Sequence, residues 1–253
     1  ASRTLGDDSC LADTVRRAVD EGADMIDCGA YSSRPGADDV SADEETRRLS
    51  HGLEVIRRVA PDAIVSVDTF RASVARRAVC DFGADIINDI SGGTLDEAMF
   101  DTVAELGVPY VLMHMRGTPA TMQSLTDYDG NVTAAVIADL AAKADRLSQA
   151  GVCDIIIDPG FGFSKTLEQN YRLLADLEAF KLLGRPLLVG VSRKSMATRL
   201  LGISADGALN ATTVINTLAV ERGASILRVH DVKACREAVS IIYDGLLPQS
   251  RQS

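Results

Sequence analysis

The sequence predicts an α/β fold, a (β/α)8 barrel whose first strand is missing from residues 1–253. Three observations predict it. Seven short apolar runs rich in Val and Ile alternate with segments of helical spacing. The passages from helix to strand repeat, as Glu-Gly-Ala-Asp at 21–24, Phe-Gly-Ala-Asp at 82–85 and Arg-Gly-Ala-Ser at 222–225. The unusual polar residues collect just after the apolar runs, where the active sites of barrels lie.

The chain opens on a helix at 10–21, where Leu11, Val15, Ala18 and Val19 share one face. In a barrel each helix follows a strand, so the strand before this helix is expected upstream of Ala1. The apolar runs then fall at 24–28, 63–67, 85–90, 109–113, 154–157, 186–191 and 225–229. Each is short and scarcely alternates, as strands buried on both faces of a parallel sheet do. Glu44-Glu45-Thr46-Arg47-Arg48, between the first two runs, reads as a solvated helix face. Leu140, Ala144 and Leu147 mark the apolar face of the helix before the fifth run. A glycine at the end of a helix takes the left-handed conformation that turns the chain into the next strand. No linker or compositional break divides the chain, so residues 1–253 are expected to form a single domain.

Composition narrows the function. The 26 Lys and Arg against 36 Asp and Glu leave a net charge of −10, the opposite of a nucleic-acid binder's basic footprint. No apolar run approaches the ~20 residues of a membrane helix. Cys10, Cys28, Cys80, Cys153 and Cys235 stand far apart without a Cys-x-x-Cys. They read as core fillers in a reducing cytoplasm rather than a disulfide framework. His51, His114 and His230 are the only histidines and form no metal-binding motif, and His114 between two methionines reads as a packed strand-end residue.

After the runs come Asp27, Asp68-Thr69, Asn88-Asp89, His114, Asp158, Ser192-Arg193-Lys194, Arg228 and His230-Asp231. Any one of these acids could simply cap the next helix. Together they define a barrel mouth, whereas an open doubly wound sheet, which also tolerates seven strands, would hold most of them too far apart to cooperate. Arg34, Lys194, Arg228 and His230 form a cationic set suited to a phosphate or diphosphate. Asp68, Asn88 and Asp158 complement a planar heterocycle with amidine-like N–H donors, as in a pterin or purine. The glycine-rich Asp158-Pro-Gly-Phe-Gly-Phe163 lets backbone approach a ligand, and it lacks the Gly-Lys-Ser/Thr of a phosphate-binding P-loop.

These segments resemble the dihydropteroate synthase family of the folate pathway. The resemblance rests on Ile26-Asp-Cys-Gly-Ala-Tyr-Ser-Ser-Arg-Pro-Gly36, Ser66-Val-Asp-Thr69, Ile86-Ile-Asn-Asp89 and Leu112-Met-His-Met115. It continues through Asp158-Pro-Gly-Phe-Gly-Phe163, Gly190-Val-Ser-Arg-Lys-Ser195 and Arg228-Val-His-Asp231, in family order along the whole chain. It implies a barrel transferase that joins 6-hydroxymethyl-7,8-dihydropterin diphosphate to p-aminobenzoate by a dissociative route. Asp68, Asn88, Asp158, Met113 and Lys194 would then hold the pterin, and Arg228 and His230 the diphosphate. Ser33, Arg34, Pro35, Phe163 and Ser195 would frame the aminobenzoate, with Asp27 supporting the 33–36 loop. Catalytic roles would fall to Asp68, Lys194, Arg228 and His230. Ser33 stands where the family usually has Thr, which keeps the hydroxyl. The resemblance further implies Mg2+, whose family Asn ligand would precede residue 1, and a homodimer. A related pterin-binding methyltransferase would use similar acids but would need no cationic set.

Overall fold

The structure, a computed structural model, describes residues 8–31 and 40–246. Five parallel strands pair in chain order: β1 (Met25–Gly29), β2 (Ile64–Asp68), β3 (Ile86–Asp89), β4 (Tyr110–Met113) and β5 (Ile155–Asp158). A bridge from Ile157 to Leu187 joins β5 to a second parallel pair, β6 (Leu188–Val189) and β7 (Ile226–Leu227). Among the described residues no ladder closes β7 onto β1. Around the sheet run α1 (Asp8–Asp20), α2 (Ala42–Val59), α3 (Ala72–Phe82), α4 (Met99–Leu106) and α5 (Val132–Gln149). After these come α6 (Leu167–Ala175), α7 (Ser195–Leu201), α8 (Leu209–Glu221) and α9 (Val232–Ser240). None of these helices is long and apolar enough to cross a membrane.

The fold follows from two apolar surfaces on each strand. One surface packs on the helices: Val65, Val67, Ile87, Tyr110, Leu112, Ile155 and Ile157 share a cluster with Leu53, Val74, Val103, Leu140 and Leu147. The other faces inward, where Ile86, Val111, Ile156 and Leu188 from successive strands meet, with Ile226 packed beside them. Side chains alternate along a strand, so adjacent residues such as Ile86 and Ile87 serve opposite surfaces. A sheet buried on both faces in this way, curled so that β3 to β7 share an inner cluster, has barrel geometry. At Gly83 the chain leaves α3 with φ 63°, and the Gly83 N–H donates back to the Val79 carbonyl at 3.0 Å before the chain enters β3.

Register aligns the ends that carry the polar residues. Gly29 pairs with Asp68, Asp68 with Asn88, and Met113 with Asp158, so these ends share one rim. A small apolar cluster of Ile90, Met113, Met115, Met122 and Phe163 lines part of that rim.

Two expectations need correction. Glu45 does not lie on a solvated face: it is fully buried, accepts from the Thr69 hydroxyl at 2.6 Å and pairs with the Arg71 guanidinium. Thr46 beside it is buried as well, whereas Glu44, Arg47 and Arg48 keep to the solvent side, with both arginines donating to Glu44. Nor are the cysteines chiefly core fillers. All are free, but Cys10, Cys80 and Cys153 are exposed and only Cys235 is buried.

Candidate active site

Two groups of side chains face each other at the rim. The first spans the unclosed side of the sheet. Arg228, one residue past β7, donates from Nε to Asp27 Oδ2 at 2.7 Å and from Nη2 to Asp68 Oδ2 at 3.0 Å. Asn88 donates its amide to Asp27 Oδ1 at 3.3 Å. Asp27, Asp68, Asn88 and Arg228 thus form one network across β1, β2, β3 and the end of β7. Burial raises the Asp68 pKa to about 7, with Arg228 opposing and Asp27 adding to the rise. The neighbouring carboxylates hold the Arg228 guanidinium firmly in its charged form.

Asp27 is therefore engaged with Arg228 and Asn88. Its expected partner, the 33–36 loop, and with it Ser33, Arg34 and Pro35, lies outside the described residues. Arg228 belongs less to a free cationic rim than to this acid pair, since at close range two partly buried carboxylates attract a guanidinium fork strongly.

The second group is the turn from Asp158 to Phe163. Gly160 has φ +71°, and a Cβ there would meet the His114 carbonyl at 2.0 Å, so the turn can lie on the end of β4 only with glycine at this position. The Gly160 N–H donates to Asp158 Oδ1 at 2.7 Å, which orients the carboxylate. Burial raises the Asp158 pKa, while the Lys194 charge and the Gly160 N–H oppose the rise. Lys194 donates to the Phe161 carbonyl at 2.7 Å, and its ammonium lies 4.8 Å from the centroid of the Phe163 ring. Burial lowers the Lys194 pKa to about 8, with Asp158 and Asp68 both counteracting, so Lys194 lies within electrostatic reach of both groups of acids.

His230 completes the rim, with Nδ1 3.1 Å from the Ser192 hydroxyl and its pKa lowered by burial and by Arg193 and Arg228. Ser195 begins α7 next to Lys194, and Met113 lies in the apolar cluster with Phe163. Two further strand-end residues serve the scaffold. Asp89 accepts from the Tyr110 hydroxyl at 2.6 Å and from the Ser91 and Gly93 amides, while Arg193 grips Asp231 with Nε and Nη2 at 3.0 and 2.7 Å.

Sequence reasoning overlooked one charged residue here. Lys165 is buried and donates to Gly160 O at 2.9 Å and Phe163 O at 3.0 Å, with Nδ1 of the buried His114 3.1 Å away. Its only sequence signal is a lysine two residues after the glycine-rich turn.

Among the described residues no group of three or more His, Cys, Asp or Glu side chains is placed to hold a metal ion. The acids nearest the cationic residues, Asp27 and Asp68, are already engaged by Arg228. These residues do not by themselves fit a magnesium site.

Acids and an amide on strand ends, opposed by cations in a barrel mouth, are suited to a flat nitrogen heterocycle bearing an anionic group. Comparison with known proteins narrows the class. The profile of the family described as "Pterin binding enzyme" matches residues 2–230. The dihydropteroate synthase of Escherichia coli K12 is 40% identical over 242 residues, covering 94% of this chain and 84% of its own length. The dihydropteroate synthase of Yersinia pestis, solved as a sulfonamide drug complex, superposes with a TM-score of 0.89 at 35% identity, over 96% of this chain and 87% of that one. That of Thermus thermophilus, solved in complex with 4-aminobenzoate, gives a TM-score of 0.84 at 41% identity, over 91% and 87% of the two chains. The chain belongs to the pterin-binding enzymes and, within them, to the dihydropteroate synthase family.

Proposed function

We propose that the chain joins 6-hydroxymethyl-7,8-dihydropterin diphosphate to p-aminobenzoate, forming 7,8-dihydropteroate and diphosphate in folate biosynthesis. The observation that carries this reading is the opposition of Asp68, Asn88 and Asp158 to Lys194, Arg228 and His230 in one mouth. Asp158 accepts from the pterin 2-amino and N3–H groups with the carboxylate oxygen that the Gly160 amide leaves open. Asn88 and Asp68 read other ring nitrogens, and Lys194 lies against the pterin. Arg228 and His230 take the diphosphate. For this Arg228 exchanges a carboxylate for diphosphate oxygens, leaving Asp27 with its second donor, Asn88.

The reaction breaks the bond between the methylene carbon and the diphosphate oxygen, then forms a bond to the arylamine nitrogen, which sheds a proton. The negative charge at the edge of the ring stabilises the cationic pterin-methylene between those events. Such preorganised charge in a site of low dielectric favours a dissociative route. Ser33, Arg34, Pro35, Phe163 and Ser195 frame the aminobenzoate.

A homodimer fits four exposed apolar side chains on α7 and α8, Leu200, Leu201, Leu209 and Val214. In this proposal residues 1–253 make a single barrel domain, and the free cysteines suit a reducing cytoplasm. Mass spectrometry of the protein incubated with both substrates tests the function. 7,8-Dihydropteroate should appear only when both are present and should be lost in Arg228→Ala; its absence with the wild-type chain refutes the reading.

A further inference from the structure

The turn that carries Asp158 is held from behind by a charged group that the mechanism above does not use. The carbonyls of Gly160 and Phe163 converge with His114 Nδ1 on one buried point, and the Lys165 ammonium occupies it. Its distances of 2.9 and 3.0 Å to the carbonyls and 3.1 Å to the imidazole account for the three N–H donors of the ammonium. Burial, aided by the Lys165 and Lys143 charges, lowers the His114 pKa to about 2, so the ring is neutral and offers Nδ1 as an acceptor. Other contacts fix the base of the lysine. The buried Ser164 has φ 47°, its carbonyl accepts from the Tyr128 hydroxyl at 2.9 Å, and its Oγ accepts from the Arg116 N–H at 3.1 Å. Asn170 accepts from the Gly162 N–H at 2.7 Å.

A neutral side chain of similar length would leave part of this acceptor set unpaired in a buried place, which is costly. Burial lowers the Lys165 pKa to about 7 and the Asp158 charge counteracts that fall, so the two groups also sense each other electrostatically.

We propose that Lys165 is a positioning residue for the pterin: by tying both ends of the 160–163 turn to His114, its ammonium holds the Asp158 carboxylate and the Phe163 ring in their binding arrangement. The inference rests on the pterin-binding reading above. It places Lys165 behind the turn, without contact to substrate. It also separates Lys165 from Lys194, which holds the same turn from the mouth side through Phe161 O.

The test compares the wild-type chain with Lys165→Ala by calorimetry, using 6-hydroxymethyl-7,8-dihydropterin diphosphate, with circular dichroism verifying the folded state at the assay temperature. Affinity should fall about 10- to 100-fold in the variant. Ethylammonium chloride, small enough for the vacated space, should recover at least fivefold of that loss relative to sodium chloride at equal ionic strength. A folded variant that binds within threefold of wild type overturns the proposal, as does equal affinity in the two salts. Should Lys165→Ala not fold, His114→Ala carries the test, since it withdraws one of the three acceptors. A loss of about 3- to 10-fold is then expected, and unchanged affinity overturns the proposal. Failure of the wild-type chain to bind the pterin would overturn the functional reading itself, whereas wild-type binding with undiminished binding in the variant overturns only the role of Lys165.

Discussion

Replacing Asp158 by Asn is a small change in shape with a large expected consequence. Asp158 Oδ1 accepts from the Gly160 N–H at 2.7 Å, and the residue is only 8% exposed. An asparagine must keep its carbonyl oxygen on that amide, because turning it round would set two donors against each other inside the protein. Its NH2 group then points into the mouth, where Asp158 offers an acceptor to the ring N–H donors of a pterin. The substitution thus removes a charged hydrogen bond and sets donor against donor. A lost charge-assisted bond with an unsatisfied partner costs about 2–4 kcal/mol, or roughly 30- to 1000-fold in affinity. The fold itself should tolerate the change, because burial already disfavours the Asp158 charge. Calorimetry of pterin diphosphate binding, paired with a thermal melt, separates the two effects. Loss of less than threefold in affinity, with the fold intact, would refute the assignment of Asp158 to the ring.

Three other outcomes are expected. Glu45→Gln breaks a buried pair whose arginine is 20% exposed; a cost near the low end for buried pairs, about 3 kcal/mol, should lower the melting temperature by roughly 6–12 °C, and an unchanged melt contradicts the network. The Asp68 pKa, raised by burial to about 7 from an unfolded value near 4, means the fold favours the protonated acid. The stability this adds is complete below about pH 4 and is lost as pH rises through about 7, so Asp68→Asn should gain in melting temperature relative to wild type between pH 5 and pH 8; a constant difference across that range counts against the shift. Titrated p-aminobenzoate should bind weakly alone and much more tightly once diphosphate is present, because in the proposed arrangement the diphosphate on Arg228 and His230 completes its pocket; equal affinities would exclude that order.

The strands were legible because burial on both faces leaves a plain apolar mark. The run at 154–157 became β5 (Ile155–Asp158) and the run at 85–90 became β3 (Ile86–Asp89). The run at 186–191 shrank to Leu188–Val189, since only these residues pair with β7. The polar ends were legible for the same reason, each standing against an apolar background. Partnerships were not. Asp27 and Arg228 are 201 residues apart, and no periodicity announces that a fork after the last strand closes on an acid of the first. Glu45 sits in a segment dominated by charged residues, and only the approach of Thr69 and Arg71 from β2's end shows its burial. Lys165 was hidden because its role lies in three convergent acceptors, which depend on how the turn folds back on His114.

The central claim is a division of labour in the mouth: the strand-end acids and amide read the ring, and Arg228 and His230 hold the diphosphate. The direct measurement is the affinity of Asn88→Ala and His230→Ala for two ligands, 6-hydroxymethyl-7,8-dihydropterin and its diphosphate, each relative to wild type. Asn88→Ala should weaken both ligands by the same factor, whereas His230→Ala should weaken the diphosphate ester and leave the alcohol unchanged. Equal losses for both ligands in His230→Ala, or a loss confined to the diphosphate in Asn88→Ala, would contradict it.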